Sequence, residues 1–336
     1  MKWDIQCGLL RETEALVKPY GVEILQFNTT YYAALGKNNN AYLLARARPW
    51  IALIMEASKG GDNLSIQLLS RTDDFGSARA ANRAILEAAD TGYVVRNVSC
   101  IACAPYIEEG AEHLRKYNHI DIGLHLTLNS EWNGVRWGAL TENGQITDDR
   151  GYFFQTQQEL AWRKPDVDGI LKEYDAQLNR LTKLGLSIAY ADSHMGPELW
   201  VPGLAEAIED WALKKGLISA RNYYSIAKLG QPPFTDKDEA YLKGVRLWLE
   251  GLQQGRQYSY VTHPAVGCEE MRLFYNEEIP AGVIEKQRNQ EYMAVTAHAW
   301  TKWREELDIR PVCYTEAKEQ RDGLPILKTI FNLGKK

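Results

Sequence analysis

From about residue 64 onward, short apolar runs alternate with longer stretches in which apolar positions recur every three or four residues. That alternation separates buried strands from amphipathic helices. Leu64–Ser70 reads as a strand and Ser77–Thr91 as a helix, with Ala81, Ile85 and Ala88 on one face, Ser77 placed to cap the start and Gly92 to end it. Tyr93–Ala104 is predicted as the next strand, Tyr106–Tyr117 as a helix and Asp121–Leu128 as a third strand. Asp166–Leu184 carries Ile170, Tyr174, Leu178 and Leu181 on one stripe ahead of Gly185, a strong helix signal. A strand at Ser187–Ala191, a helix at Leu199–Lys215, a strand at Leu217–Ala220 and a helix at Ala240–Leu252 follow. The series closes with a strand at Tyr258–Thr262, a helix at Val283–Leu307 and a strand at Arg310–Tyr314.

Strands and helices in strict alternation predict an α/β fold with a parallel sheet. About seven strands favour closure into a barrel of the (β/α) type over an open sheet. Two stretches fall outside the alternation. Residues 130–165 form a long connection rich in Asn, Gly, Trp and Thr, and long ordered loops at strand C-termini usually shape a site. Residues 1–63 form an N-terminal extension ahead of the main unit, 64–336, with a helix or strand around Tyr42–Met55 and a break at Lys59–Asp62. A lid, a dimer arm or a partner surface are all open readings of this extension, so a homodimer stays open too.

Composition narrows the function classes. A net charge of -5 gives no basic surface for nucleic acid and a poor match to an anionic membrane. The start of the chain lacks a signal peptide's apolar core and no apolar stretch approaches a membrane span, which predicts a cytoplasmic protein. Five scattered cysteines argue against a disulfide framework. Cys100 and Cys103 fall in a predicted strand, where residues three apart face opposite ways, so packing is the expected role rather than a shared metal. Ten Trp and 18 Tyr serve mostly as core, with some available to floor a sugar site.

The chemistry collects at strand ends. Asp73 and Asp74 follow the first strand of the alternation, His125 lies in the third, His194 follows the fourth and His263 the sixth. In a parallel α/β architecture these ends converge on one face. Each residue alone has a plainer reading: Asp73-Asp74 as a turn and helix cap, His125 as a hydrogen-bonded core residue, Asp192-Ser-His194 as a turn, His263 before Pro264 as a strand terminator. His125, however, alternates with Gly123 and Thr127 on one face while leucines take the other, a polar stripe suited to a barrel interior. One carboxylate and two imidazoles are a common facial set for a catalytic divalent cation, with a further acid and a further His left for proton transfer.

Thr72-Asp-Asp-Phe-Gly76, then Asn82 to Glu87, Gly123-Leu-His-Leu-Thr-Leu128, Asp192-Ser-His194, Ala220-Arg221, Thr262-His-Pro264, and Arg288 with Glu291 occur in this order along the chain. In these motifs the sequence resembles the YdjC/ChbG-type carbohydrate deacetylases, over about Leu68 to Tyr314. The resemblance implies a distorted (β/α) barrel of about seven strands and removal of acetyl from an N-acetylated sugar or short oligosaccharide. It matches Asp74, His125 and His194 to the ligands of one divalent metal ion, Asp73 to the base and His263 to the histidine opposite it. The metal implied is magnesium by family, or zinc by its liking for imidazole. The chain departs from the family in its extra N-terminal residues, in Met195 where a second His is usual, and in Ala265 where Gly is usual. Arg221 is expected to orient Asp73 or bind substrate. Trp132 and Trp137, with Tyr152, Phe153 and Phe154, offer rings to a small carbohydrate. Two other readings stay open: a different metal-assisted amide or phosphoester hydrolase, and a non-catalytic sugar-binding barrel.

Overall fold

A computed structural model describes residues 65–223 and 232–319, together with the backbone of three strands nearer the N-terminus. The chain divides into two compact units, Met1–Asn63 and Leu64–Lys336. In the first, β1 (Val22–Phe27), β2 (Thr30–Leu35) and β3 (Tyr42–Leu43) form an antiparallel sheet. The expected element at Tyr42–Met55 begins as β3; its remainder and the Lys59–Asp62 break lie outside the described residues.

The second unit alternates as its sequence pattern predicts. Its strands are β4 (Ile66–Phe75), β5 (Asn97–Cys100), β6 (Asp121–Leu126), β7 (Ile188–Ser193), β8 (Ile218–Ser219), β9 (Gln257–Thr262) and β10 (Ile309–Pro311). Its helices are α1 (Arg79–Thr91), α2 (Ile107–Leu114), α3 (Gln157–Trp162), α4 (Val167–Lys183), α5 (Leu204–Lys214), α6 (Asp238–Glu250), α7 (Val283–Val295) and α8 (Ala299–Glu306). The strands make one seven-stranded parallel sheet centred on β4. β9 runs along one edge of β4, from Gln67 to Thr72. The other edge is shared: β10 pairs with Ile66–Leu68 and β5 with Arg71 onward. Asn97 closes this split, donating to the carbonyls of Ser70 and Val312 and accepting from the Tyr314 N–H.

The sheet curls into a half-barrel. Arg71 on β4 reaches Asp192 on β7, three strands away, at 3.3 Å. Strands sit about 4.8 Å apart, so a flat sheet would part them by about 14 Å. Inside the curve lies a small cluster of Leu69, Tyr190, Ala220, Val312 and Tyr314. The main core lies outside it, between sheet and helices, and includes Leu68, Val98, Leu124, Ile85 and Ile170. Gly123 on β6 stands opposite Tyr190 in register, and a Cβ there would overlap the Tyr190 ring.

Four expectations need correction. The strand expected at Tyr93–Ala104 shrinks to Asn97–Cys100, because β10 already occupies the stretch of β4 that residues before Asn97 would need. Ser77 does not cap α1; the Glu270 carboxylate accepts from the N–H groups of Arg79 and Ala80 instead. The helix expected at Leu199–Lys215 starts at Leu204, behind Pro202 and a left-handed Gly203. The helix expected at Val283–Leu307 breaks at 296–298, and the turn lets Trp300 bury fully and donate to the Ala294 carbonyl. Neither Gly nor Pro marks that break, so periodicity reads straight through it. Among the described residues no helix is long and apolar enough to cross a membrane.

Candidate active site

The C-terminal ends of β4, β6, β7 and β9 bring Asp73, Asp74, His125, His194 and His263 together. Consecutive residues of a regular strand face opposite ways, yet both aspartates enter the same pocket. The register of β4 against β5 shifts between Thr72 and Phe75, and Asp74 takes a left-handed backbone with φ of 64°. That local irregularity turns Asp74 back toward the side already occupied by Asp73, a conformation Asp tolerates better than most residues.

Asp74 Oδ1 lies 3.6 Å from His125 Nε2 and 3.4 Å from His194 Nδ1, and all three side chains are buried. The far nitrogen of each ring meets a carboxylate: His125 Nδ1 is 2.7 Å from Asp192, and His194 Nε2 is 3.0 Å from Glu131. Asp74 Oδ2 accepts from Arg288 at 2.6 Å, while Oδ1 is buried with no hydrogen-bond partner. One anionic oxygen and two imidazole nitrogens therefore face one another with their other bonding positions spoken for. That donor set, with outer carboxylates orienting each ring, suits a divalent cation. A second grouping, Asp73 with His125 and Asp192, also has ligand spacing. There both oxygens of Asp73 are bound by Arg71, and Asp192 Oδ2 is shared between Arg71 and His125 Nδ1.

Asp73 sits beside this set with a different environment. Arg71 grips it with two bonds of 2.6 and 2.8 Å and is itself tied to the Tyr314 hydroxyl. Burial alone would raise the Asp73 pKa, but Arg71, His125 and His263 outweigh it and hold the carboxyl below the usual range. Burial likewise pushes Asp74 up, and Arg288 and His194 bring it well below its ordinary value. His263 Nε2 is 3.8 Å from Asp73, and its side chain is 40% exposed, unlike the buried pair of ligands. Its backbone N–H donates to Glu291. Burial lowers the His263 pKa, but Glu291, Asp74 and Asp73 outweigh it and hold the ring's pKa above its ordinary value.

The other expected contacts fall differently. Arg221 follows β8 and pairs with Glu198 and Glu209, whereas the guanidinium on Asp73 is that of Arg71. Trp132 packs on Phe274, and Trp137 lies edge-on to His194 with its N–H on the Asn129 carbonyl; both rings are buried in the wall. Phe153 and Phe154 are buried too, and Tyr152 alone of that loop's named rings is exposed. The residues 130–165 are ordered by two isolated bridges, Gly138 with Tyr152 and Thr147 with Phe153, and by buried Glu173 of α4, which accepts from Leu140, Thr141 and Gln177. Cys100 and Cys103 are free thiols, each raised by burial. Sequence reading missed Arg71 and Glu131. Arg71 had a signal, a charge in an apolar strand two positions before Asp73 and so on the same face. Glu131 had none, because it reaches His194 across a loop.

Comparison with known proteins agrees with this layout. A carbohydrate deacetylase of Listeria monocytogenes is 27% identical over 217 residues, 62% of this chain and 84% of its own length. A carbohydrate deacetylase of Halalkalibacterium halodurans is 25% identical over 194 residues, 56% of this chain and 72% of its own. A solved protein of Enterococcus faecalis, described as a cellobiose-phosphate cleavage protein, shares the fold with a TM-score of 0.58 at 21% identity, over 75% of this chain and 98% of its own. The profile of the YdjC-like protein family matches residues 67–306, from β4 with its two aspartates through α8, and on that match the chain belongs to the YdjC-like family.

Proposed function

We propose that this protein is a metal-dependent hydrolase that removes the acetyl group from an N-acetylated sugar or short oligosaccharide. The observation that supports the reading is the contrast between two adjacent buried acids: Asp74 Oδ1 faces two imidazole nitrogens, while both oxygens of Asp73, next in sequence, are held by Arg71. A sugar-binding barrel has no need of that second, separately ionised carboxylate. The relatives named carbohydrate deacetylases supply the substrate class.

Asp74, His125 and His194 would hold the cation, magnesium or zinc, which when bound supplies polarisation of the acetyl carbonyl and acidification of an adjacent water. Asp73, ionised at neutral pH, accepts a proton from the attacking water. The water oxygen bonds to the acyl carbon, and the C–N bond breaks. His263 gives its proton to the departing nitrogen, which otherwise leaves as a poor amide anion. Its exposure at the mouth suits contact with a sugar that must enter and leave. The products are acetate and the free amine.

The test is release of acetate from N,N'-diacetylchitobiose by metal-loaded protein. Asp74→Ala is expected to lose metal and turnover together. Asp73→Asn is expected to keep the metal and lose about 10²–10⁴ in rate. Full activity in metal-free Asp74→Ala refutes the proposal. Phosphate release from a generic ester without acetate release would instead favour another metal-assisted hydrolase, and sugar binding without turnover a binding barrel.

A further inference from the structure

We propose that Glu131 is a positioning residue for the cation site: it fixes which nitrogen of His194 faces the ion, and through it the loop after β6 sets metal affinity. The inference rests on reading Asp74, His125 and His194 as ligands.

The two imidazoles present opposite nitrogens to Asp74, Nε2 from His125 and Nδ1 from His194. A neutral imidazole has one N–H, so His194 can offer a lone pair at Nδ1 only while its proton sits on Nε2. The Glu131 carboxylate, 3.0 Å from Nε2, is the group that accepts that proton's hydrogen bond. It stands at the far nitrogen, on the other side of the ring from Asp74, so it orients the ring rather than joining the ligand set.

The partner of His125 comes with the sheet, since His125 and Asp192 are register partners on β6 and β7. Glu131 comes from a loop, and the loop is stapled. The Ser130 N–H donates to Phe154, and the Glu131 carbonyl accepts from Asn276 Nδ2 at 3.3 Å. Asn133 and Gly134 donate to the backbone carbonyls of Tyr275 and Leu273. Trp137, from the same loop, lies edge-on to the His194 ring with centroids 6.1 Å apart. Segments after β6 and β9 must therefore come together before Glu131 reaches His194. Outer partners of metal-bound histidines set ring orientation and ligand basicity in this way.

Chelator-stripped protein titrated with zinc is the assay. Glu131→Met, which keeps the volume and removes the acceptor, is expected to weaken zinc binding about 10–100-fold. Glu131→Gln, whose amide oxygen still accepts, should recover most of that loss. Asn276→Ala should weaken binding about two- to tenfold, the effect of one hydrogen bond. In zinc-loaded protein labelled with nitrogen-15 at histidine, the His194 Nε2–H should exchange slowly in the parent and in Glu131→Gln, and rapidly in Glu131→Met. If Glu131→Met fails to fold by circular dichroism, Glu131→Ala carries the same expectations. Unchanged zinc affinity with a protected Nε2–H in the folded variant overturns the role of Glu131. Unchanged zinc affinity in Asp74→Ala would overturn the ligand assignment itself, so the two failures are distinct.

Discussion

Replacing Arg71 by Met should destabilise the protein in a way that depends on pH with a defined sign. Arg71 is buried and touches two buried carboxylates, Asp73 at 2.6 Å and Asp192 at 3.3 Å, along with the Tyr314 hydroxyl. Removing one partner of such a pair leaves uncompensated charge inside, which costs about 3–5 kcal/mol. At roughly 2–4 °C per kcal/mol for a domain near this size, the melting temperature should fall by about 6–20 °C. In the parent, Asp73 is held below its ordinary pKa of about 3.9, so it adds stability above that pH and loses it as pH falls. In the variant, burial acts with less opposition and the Asp73 pKa rises. Near pH 4 the variant can then shed the charge by protonation, while at neutral pH it bears the whole cost. Urea unfolding of metal-free protein at pH 4.5 and 7.5 tests this, with the gap between parent and variant widening at the higher pH. A gap under about 1 kcal/mol at pH 7.5, or one equal at both pH values, would refute charge compensation as the role of Arg71.

Gly123→Ala should cost about 1–3 kcal/mol in chemical unfolding, since its Cβ meets the Tyr190 ring; Tyr190→Leu in the same chain should return part of it. Glu173→Gln turns an amide toward the donors at Leu140 and Thr141, and should cost about 1–3 kcal/mol while opening residues 138–156 to limited proteolysis. An unchanged cleavage pattern would mean that Glu173 does not anchor the loop. Glu291→Gln removes a carboxylate that raises the His263 pKa, so the alkaline limb of the kcat/KM profile should move to lower pH. A shift to higher pH would contradict His263 as the proton donor.

Much of this was legible in the chain itself. All seven strands of the parallel sheet are marked in the chain by apolar positions that pack under the helices, while the inward positions of β4 and β6 carry polar groups such as Arg71, Asp73 and His125. The helices between them show their buried stripe at helical spacing. His125, on the Gly123–Thr127 stripe, revealed which face of β6 turns inward, since alternation along a strand is strict. What periodicity reads poorly is an element end fixed by a remote partner. The start of β5 depends on where β10 docks on β4, and the cap of α1 is a glutamate some 190 residues away.

Local spacing was enough to set out the strand–helix alternation of a parallel sheet and to put Asp73, Asp74, His125, His194 and His263 at strand ends. How two adjacent aspartates enter one pocket, through the left-handed backbone at Asp74, came only with the folded chain. Tertiary structure also decided that Arg71 pairs with Asp73 and Asp192, and that Glu131 holds His194, while Trp132 and Trp137 pack into the wall. The reason is one of range. Periodicity encodes which way a side chain points from its own element, but curling the sheet brings β4 against β7 and folds loops over both, and no local pattern specifies those meetings.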